Sequence, residues 1–433
     1  MAPILTLRLE PPHNGEFYTL EDTVSGELLL ELDKSIEVRE IVVNLVGNSE
    51  ATVRPGEHYK NGTRTSLQMP LNDERSFHKL VDSEISVFPP ENVRSAIKGS
   101  SRAAFKLEQG SYNFGFTFTF PEVPQCSATH AKNLLTYTKS LSHVSLPPSF
   151  NHELSNQEIF DLDVFFYSLG KVEYFVESTL YSGNDESWFK TSRNYCSPKT
   201  TIELMPSNLA QEELQDILQN EGSAPLEVFD SKFDVMFDNY DMKLWAEVRS
   251  KQLRSVYRLD YLFLPGCDKF DQVYILMSSP LPKTADLRVV GVDLNLVEFT
   301  TYLAGGRSNA NYNTLRLARS KSELKVDLSR SITETDGTTE CQIELGTLSP
   351  LDQVRFNEED YKYRGNRLYS LTSCNIRRVF KFQLILHMLL DDKNHFQFEI
   401  LTDLVNVFCE SVTVETHPPA YAEDEQLPTY KGK

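Results

Sequence analysis

The feature that most constrains this chain is an alternation of apolar and polar side chains with a period of two. Leu5, Leu7 and Leu9 are apolar at every second place, and Leu28, Leu30 and Leu32 repeat this against Glu27 and Glu31. Phe114, Phe116, Phe118 and Phe120 make the clearest case, with Gly115, Thr117 and Thr119 between them. A period of two sends one set of side chains to a buried face and the other towards solvent, so each run predicts a β-strand. Val38 to Val46 reads as a strand that closes at Gly47. Leu162, Val164 and Phe166, then Val172, Tyr174 and Val176, predict a hairpin around Ser168-Leu169-Gly170.

The second half has the same style. Residues 242–248 alternate, as do Val273, Ile275 and Met277, and Leu294, Leu296 and Phe299 follow. Phe382 to Leu386 and Phe396 to Ile400 flank Asp391-Asp392-Lys393-Asn394, a polar quartet suited to a hairpin turn. Many short strands between turn signals predict an all-β chain built from sandwiches. A length of 433 residues exceeds one ordinary core and suits two. The expected division is a first sandwich over 1–205, a linker over 206–240, a second sandwich over 241–412 and a flexible tail over 413–433. The linker is acidic and poor in alternation. Leu214, Ile217 and Leu218 there have helical spacing, and Asn208 suits the N-cap, which predicts one short helix.

Charge and motifs narrow the function. Forty-three basic against 62 acidic side chains give a net charge of −19, which repels nucleic-acid phosphates and disfavours bulk attraction to an anionic membrane. Residues 1–10 lack the charged and apolar regions of a signal peptide, and Ala2 excludes N-myristoylation. The most apolar stretch, Phe382 to Leu390, is too short to span a bilayer and contains His387. The expectation is a cytoplasmic protein, transiently at the plasma membrane or endosomes. Cys126, Cys196, Cys267, Cys341, Cys374 and Cys409 are scattered singly, which reads as free thiols rather than a disulfide framework.

No nucleophile elbow, phosphate-cradling loop or dinucleotide fingerprint is present. The histidines never form His-Glu-x-x-His and no Cys-x-x-Cys exists, so no zinc site is spelled locally. His387 and His395 flank one predicted hairpin, where an ordinary histidine pair is the commoner outcome than a ligand pair. Acids such as Asp161 and Asp163, or Glu358, Glu359 and Asp360, read as solvated strand faces or loops. The sequence thus predicts no enzyme, no catalytic residue, no cofactor and no metal ligand, although a site assembled from distant residues leaves no local motif. Two basic groups remain: Arg249, Lys251, Arg254 and Arg258; and Arg364, Arg367, Arg377, Arg378 and Lys381. They are candidates for acidic cytoplasmic tails or anionic lipid, against the commoner reading of solvated faces.

The sharpest short motif is Pro418-Pro419-Ala420-Tyr421. Consecutive prolines fix φ and hold the segment in polyproline II, so little ordering entropy is lost when it enters the aromatic groove of a WW domain. The tyrosine fills an adjacent pocket. Such a motif arises by chance about 0.04 times in a chain of this length, and here it lies in a polar terminus that a partner can reach. Leu427-Pro428-Thr429-Tyr430 is a weaker variant of the same ligand, and two sites on one tail suit tandem WW modules. Pro89-Pro90-Glu91-Asn92 and Pro147-Pro148-Ser149-Phe150 lack the tyrosine and read as loop punctuation.

These pieces together resemble the α-arrestins, in particular the fungal arrestin-related trafficking adaptors. The resemblance rests on Phe17 to Gly26, on Ile41 to Gly47 and above all on Gly110-Ser111-Tyr112-Asn113-Phe114-Gly115-Phe116 with Phe120-Pro121. It continues through Leu146 to Phe150 and, more thinly, through Arg258, Asp260-Tyr261, Phe270-Asp271 and Val273. It implies two arrestin-like β-sandwiches and an adaptor role. The tail would recruit a WW-domain, HECT-type ubiquitin ligase, and the body would meet cytoplasmic parts of plasma-membrane transporters or receptors, promoting their ubiquitination and endocytosis. The alternative is a non-catalytic sorting or coat subunit of the same fold in endosomal trafficking.

Overall fold

A computed structural model describes residues 2–13, 15–54, 73–96, 104–126, 146–152, 168–183, 194–205, 231–233, 244–248, 256–258, 273–278, 280–282, 284–321, 323–345, 362–363, 366–401 and 406–408. In the first half the strands are β1 (Ile4–Leu9), β2 (Thr23–Leu32), β3 (Ile36–Val53), β4 (Glu74–Phe88), β5 (Phe105–Leu107), β6 (Gly110–Thr119), β7 (Phe150–His152), β8 (Ser168–Ser182), β9 (Asn194–Cys196) and β10 (Thr200–Ile202). The sheet β1-β2-β6 faces a larger sheet of order β10-β8-β3-β4, to which β5, β7 and β9 add. The period of two explains the facing. Leu28 and Leu30 of β2 and Phe116 and Phe118 of β6 are buried against Ile41, Val43 and Leu45 of β3 and Val172, Tyr174 and Val176 of β8. A short helix, α1 (Glu91–Ala96), follows β4, so Pro89-Pro90 closes a strand and opens a helix turn.

The second half contains β11 (Ser231–Phe233), β12 (Leu244–Val248), β13 (Val256–Arg258), β14 (Val273–Met277), β15 (Leu287–Ala304), β16 (Arg307–Ser320), β17 (Leu324–Lys325), β18 (Ile332–Thr333) and β19 (Thr339–Ile343). It continues with β20 (Lys362–Tyr363), β21 (Asn366–Arg367), β22 (Leu371–Thr372), β23 (Ile376–Leu390), β24 (Asn394–Leu401) and β25 (Asn406–Phe408). One sheet runs β11-β12-β14-β19-β18, and its partner runs β16-β15-β23-β22 with β17 and β24 at the sides. Leu244, Ile275 and Cys341 of the first pack with Leu294, Phe382 and Phe398 of the second. The turn predicted at Asp391-Asp392 forms, and both aspartates take left-handed φ values of 53° and 57°, a conformation that short polar side chains tolerate.

Two local expectations are corrected. β3 does not close at Gly47 but continues to Val53. A Cβ on Gly47 would lie 2.6 Å from the Tyr174 ring, so the glycine answers a close approach rather than a strand end. Ser168-Leu169-Gly170 is not a turn, because these residues open β8 and pair with Val53, Thr52 and Ala51. Gly170 likewise lets the Tyr302 ring approach to 2.7 Å from where a Cβ would sit. The short strand β11 pairs with β12. The helix expected around Asn208–Leu218 and the hairpin arm Leu162 to Phe166 lie outside the described residues.

Candidate functional site

The two sandwiches do not meet at simple outer surfaces. Tyr302 and Ala304 at the end of β15, together with Tyr369, Leu371, Cys374 and Ile376, are buried in the core of the first sandwich. The antiparallel register that places Tyr302 opposite Ile376 brings the end of β15 and the β22–β23 corner to one tip. Gly170 in the first sandwich makes room for it, since a Cβ there would lie 2.7 Å from Tyr302 and 2.8 Å from Ile376. Gly47, Ser49 and Ala51 follow one another at alternate places along β3, opposite Tyr174, Val172 and Gly170 of β8.

Polar groups in this seam find partners across it. Ser49 is fully buried, and its hydroxyl donates to Asn375 Oδ1 at 2.6 Å and lies 3.1 Å from Ser373 Oγ. The Asn375 amide donates to the Ser49 carbonyl at 3.3 Å and to the Ser76 carbonyl at 3.2 Å. Within the first sandwich Tyr174 donates to the Pro147 carbonyl at 2.6 Å, and across the seam Tyr369 donates to the Ser149 carbonyl. His152 Nδ1 meets the Tyr302 hydroxyl. Burial, then the negative charge of Glu298, raises the Tyr302 hydroxyl far above its ordinary value, so it stays protonated.

At the centre lies an ion pair. Arg378 is 1% exposed, and its Nε and Nη2 donate to the two carboxylate oxygens of Glu298 at 2.9 and 3.2 Å. Nη1 donates to the Tyr369 carbonyl at 3.4 Å, and Thr300 donates to Glu298 Oε1 at 2.7 Å. The guanidinium carbon sits 5.2–5.5 Å from the ring centres of Phe150, Tyr369 and Phe380, within cation–π range. Burial works against the Glu298 carboxylate. The charge and hydrogen bonds of Arg378, with the Thr300 hydroxyl, outweigh it and hold the carboxyl below its usual value. Arg378 is therefore no part of a surface basic cluster. Strand alternation turns Arg377 outward and Arg378 inward.

The seam also brings together residues that the sequence keeps apart. Cys126 Sγ and Cys374 Sγ lie 3.4 Å from each other, and both residues are buried. The hydrogen bond with Cys126, then burial, pushes the Cys374 thiol far up, so the Cys374 thiol is a poor nucleophile. The expected histidine pair does not form. His387 stands opposite Gln397 and contacts Asp293 at 3.2 Å, while His395 stands opposite Leu389. The tail residues Pro418, Pro419, Tyr421, Leu427, Pro428 and Tyr430 lie outside the described residues, as do Arg249, Lys251, Arg254, Arg364, Asp161, Asp163, Glu358, Glu359 and Asp360. No helix among the described residues is long and apolar enough to cross a membrane.

Comparison with known proteins agrees with this architecture. Residues 6–194 match the model of the arrestin (or S-antigen) N-terminal domain, and residues 223–412 match that of the arrestin-related trafficking adapter 10 C-terminal domain. Arrestin-related trafficking adapter 10 of Lachancea thermotolerans is 55% identical over 431 residues, covering 100% of both chains. The protein of that name from Saccharomyces cerevisiae is 32% identical, covering 99% of this chain and 98% of its own. That from Zygosaccharomyces rouxii is 32% identical, covering 98% and 100%. The chain belongs to the arrestin-related trafficking adapters.

Proposed function

We propose that this chain is a non-catalytic trafficking adaptor that brings a WW-domain, HECT-type ubiquitin ligase to plasma-membrane transporters or receptors. One observation carries the reading: a stiff Pro418-Pro419-Ala420-Tyr421 ligand stands in the polar segment that follows the arrestin-fold body. The full-length relatives, themselves arrestin-related trafficking adapters, support the adaptor part. Leu427, Pro428 and Tyr430 supply a secondary contact that raises avidity for tandem WW modules. The two-sandwich body is the part that meets cytoplasmic segments of the cargo. Ubiquitin placed on the cargo then signals its endocytosis, with the adaptor working from the cytoplasm and visiting plasma membrane or endosomes.

The test is a pull-down of the ligase from cells carrying tagged full-length chain, paired with cargo internalisation. Tyr421→Ala removes most ligase capture and slows internalisation, and adding Tyr430→Ala removes the remainder. Ligase capture that survives loss of both tyrosines contradicts the mechanism. A constitutive large assembly on size exclusion, indifferent to the tail, favours a coat subunit instead.

A further inference from the structure

The seam also gathers three ligating side chains from three separate segments. His78 lies on β4 opposite Ser49, so its ring belongs to the face that receives the second sandwich. Cys126 runs along the edge of β4, held by its own N–H to the Lys79 carbonyl at 3.1 Å and by Gln125 N–H to the Leu80 carbonyl at 2.9 Å. Cys374 comes from the second sandwich, in the corner closed by Ser373 N–H on the Ile376 carbonyl at 2.7 Å. One donor atom from each of His78, Cys126 and Cys374 lies within 4.8 Å of the other two.

Two thiols and an imidazole form the soft nitrogen–sulfur set that suits zinc. Tetrahedral zinc with Zn–S near 2.3 Å needs sulfurs about 3.8 Å apart. The two sulfurs here stand at 3.4 Å, so they part by a few tenths of an ångström to admit the ion. Supporting contacts are in place as well. Ser76 Oγ lies 3.0 Å from His78 Nε2, and Ser76 is itself tied to Asn375 across the seam, the kind of outer bond that orients a ligating ring. Both cysteines are buried while His78 is half-buried, which leaves the histidine side open for the ion to arrive and for a water to complete the coordination.

We propose that His78, Cys126 and Cys374 form a zinc(II) site that fastens the second sandwich to the first. Binding replaces the two thiol protons, which leave to solvent, and no electron transfer is involved. Each sandwich supplies part of the ligand set, so the ion binds only when the two are docked, and bound zinc stabilises the docked state by mass action.

The test uses the reduced, metal-free full-length chain titrated with cobalt(II) and then zinc(II). One equivalent of cobalt gives a thiolate-to-metal charge-transfer band and the strong visible bands of a tetrahedral ion, and one equivalent of zinc bleaches both. Zinc also raises the thermal midpoint. Cys126→Ser and Cys374→Ser each lower zinc affinity at least about 100-fold, and His78→Gln weakens it. Circular dichroism of each metal-free variant checks that it folds, and the wild-type cobalt spectrum stands whether or not a variant does. Absence of stoichiometric cobalt or zinc uptake by the wild-type chain overturns the proposal. So does a charge-transfer band that persists in the C126S/C374S double variant, or a purified chain whose Cys126 and Cys374 are joined to each other as a disulfide in place of metal.

Discussion

Replacing Arg378 by methionine removes the cation at the centre of the seam while keeping an unbranched apolar stem among Phe150, Tyr369 and Phe380. Glu298 then keeps the Thr300 hydroxyl at 2.7 Å and loses both charge-assisted bonds, at 2.9 and 3.2 Å. A carboxylate left buried without its partner costs about 3–5 kcal/mol. For a sandwich of this size that lowers the thermal midpoint by roughly 10 °C. Pairing the change with Glu298→Leu takes away the stranded charge and recovers most of the loss, because an apolar replacement of both partners is often close to neutral. Urea unfolding of the four chains in a double-mutant cycle reads the coupling. The same pair makes a pH prediction with a definite sign. The folded-state carboxyl of Glu298 lies below its ordinary 4.5. Its contribution is therefore present above that value and is lost as pH falls through the lower folded value. The stability gap between wild type and Glu298→Gln accordingly narrows only below pH 4.5. A loss for Arg378→Met under about 1 kcal/mol, the size expected of an exposed pair, would refute the reasoning.

Gly47→Ala forces a Cβ to within 2.6 Å of the Tyr174 ring and costs about 1–3 kcal/mol by overpacking, read as a lower urea midpoint. Gly115→Ala, where no atom lies within 4 Å of the added Cβ, serves as its control and stays near wild type. Asn375→Ala leaves the buried Ser49 hydroxyl and the Ser49 and Ser76 carbonyls short of a partner. It costs about 1–3 kcal/mol and, because the lost bonds cross the seam, hydrogen exchange quickens first around Ser49, Ser76 and the β22–β23 corner. Tyr302→Phe deletes the hydroxyl that meets His152 and lowers stability by about 1 kcal/mol while keeping the ring over Gly170.

The all-β class was legible because period-two patterning needs no partner to be read. Spacing alone sends Leu28, Leu30, Phe116 and Phe118 to a buried face, and polar residues alone mark the Asp391-Asp392 turn. What stayed hidden depends on residues far along the chain. Gly47 and Gly170 carry a turn signal locally, and only Tyr174 and Tyr302, placed by tertiary packing, show why a side chain is excluded there. Arg378 reads as one of a basic run until its partner, 80 residues earlier, is brought beside it. Ser49 and Asn375 look like unremarkable polar residues, yet each satisfies the other inside the core. Cys126 and Cys374 are 248 residues apart, beyond the reach of any spacing motif. The tail shows the opposite case: its motif is entirely local, so sequence alone reads it.

The proposed recruiter role rests on that local motif. Isothermal calorimetry of a synthetic peptide spanning residues 413–433 against a tandem WW fragment of a HECT-type ligase addresses it most directly. The account predicts saturable binding that falls at least about 10-fold, or about 1.4 kcal/mol, when Tyr421 is alanine. A peptide with no measurable heat of binding to such modules, or one whose affinity is unchanged by Tyr421→Ala and Tyr430→Ala together, would contradict it.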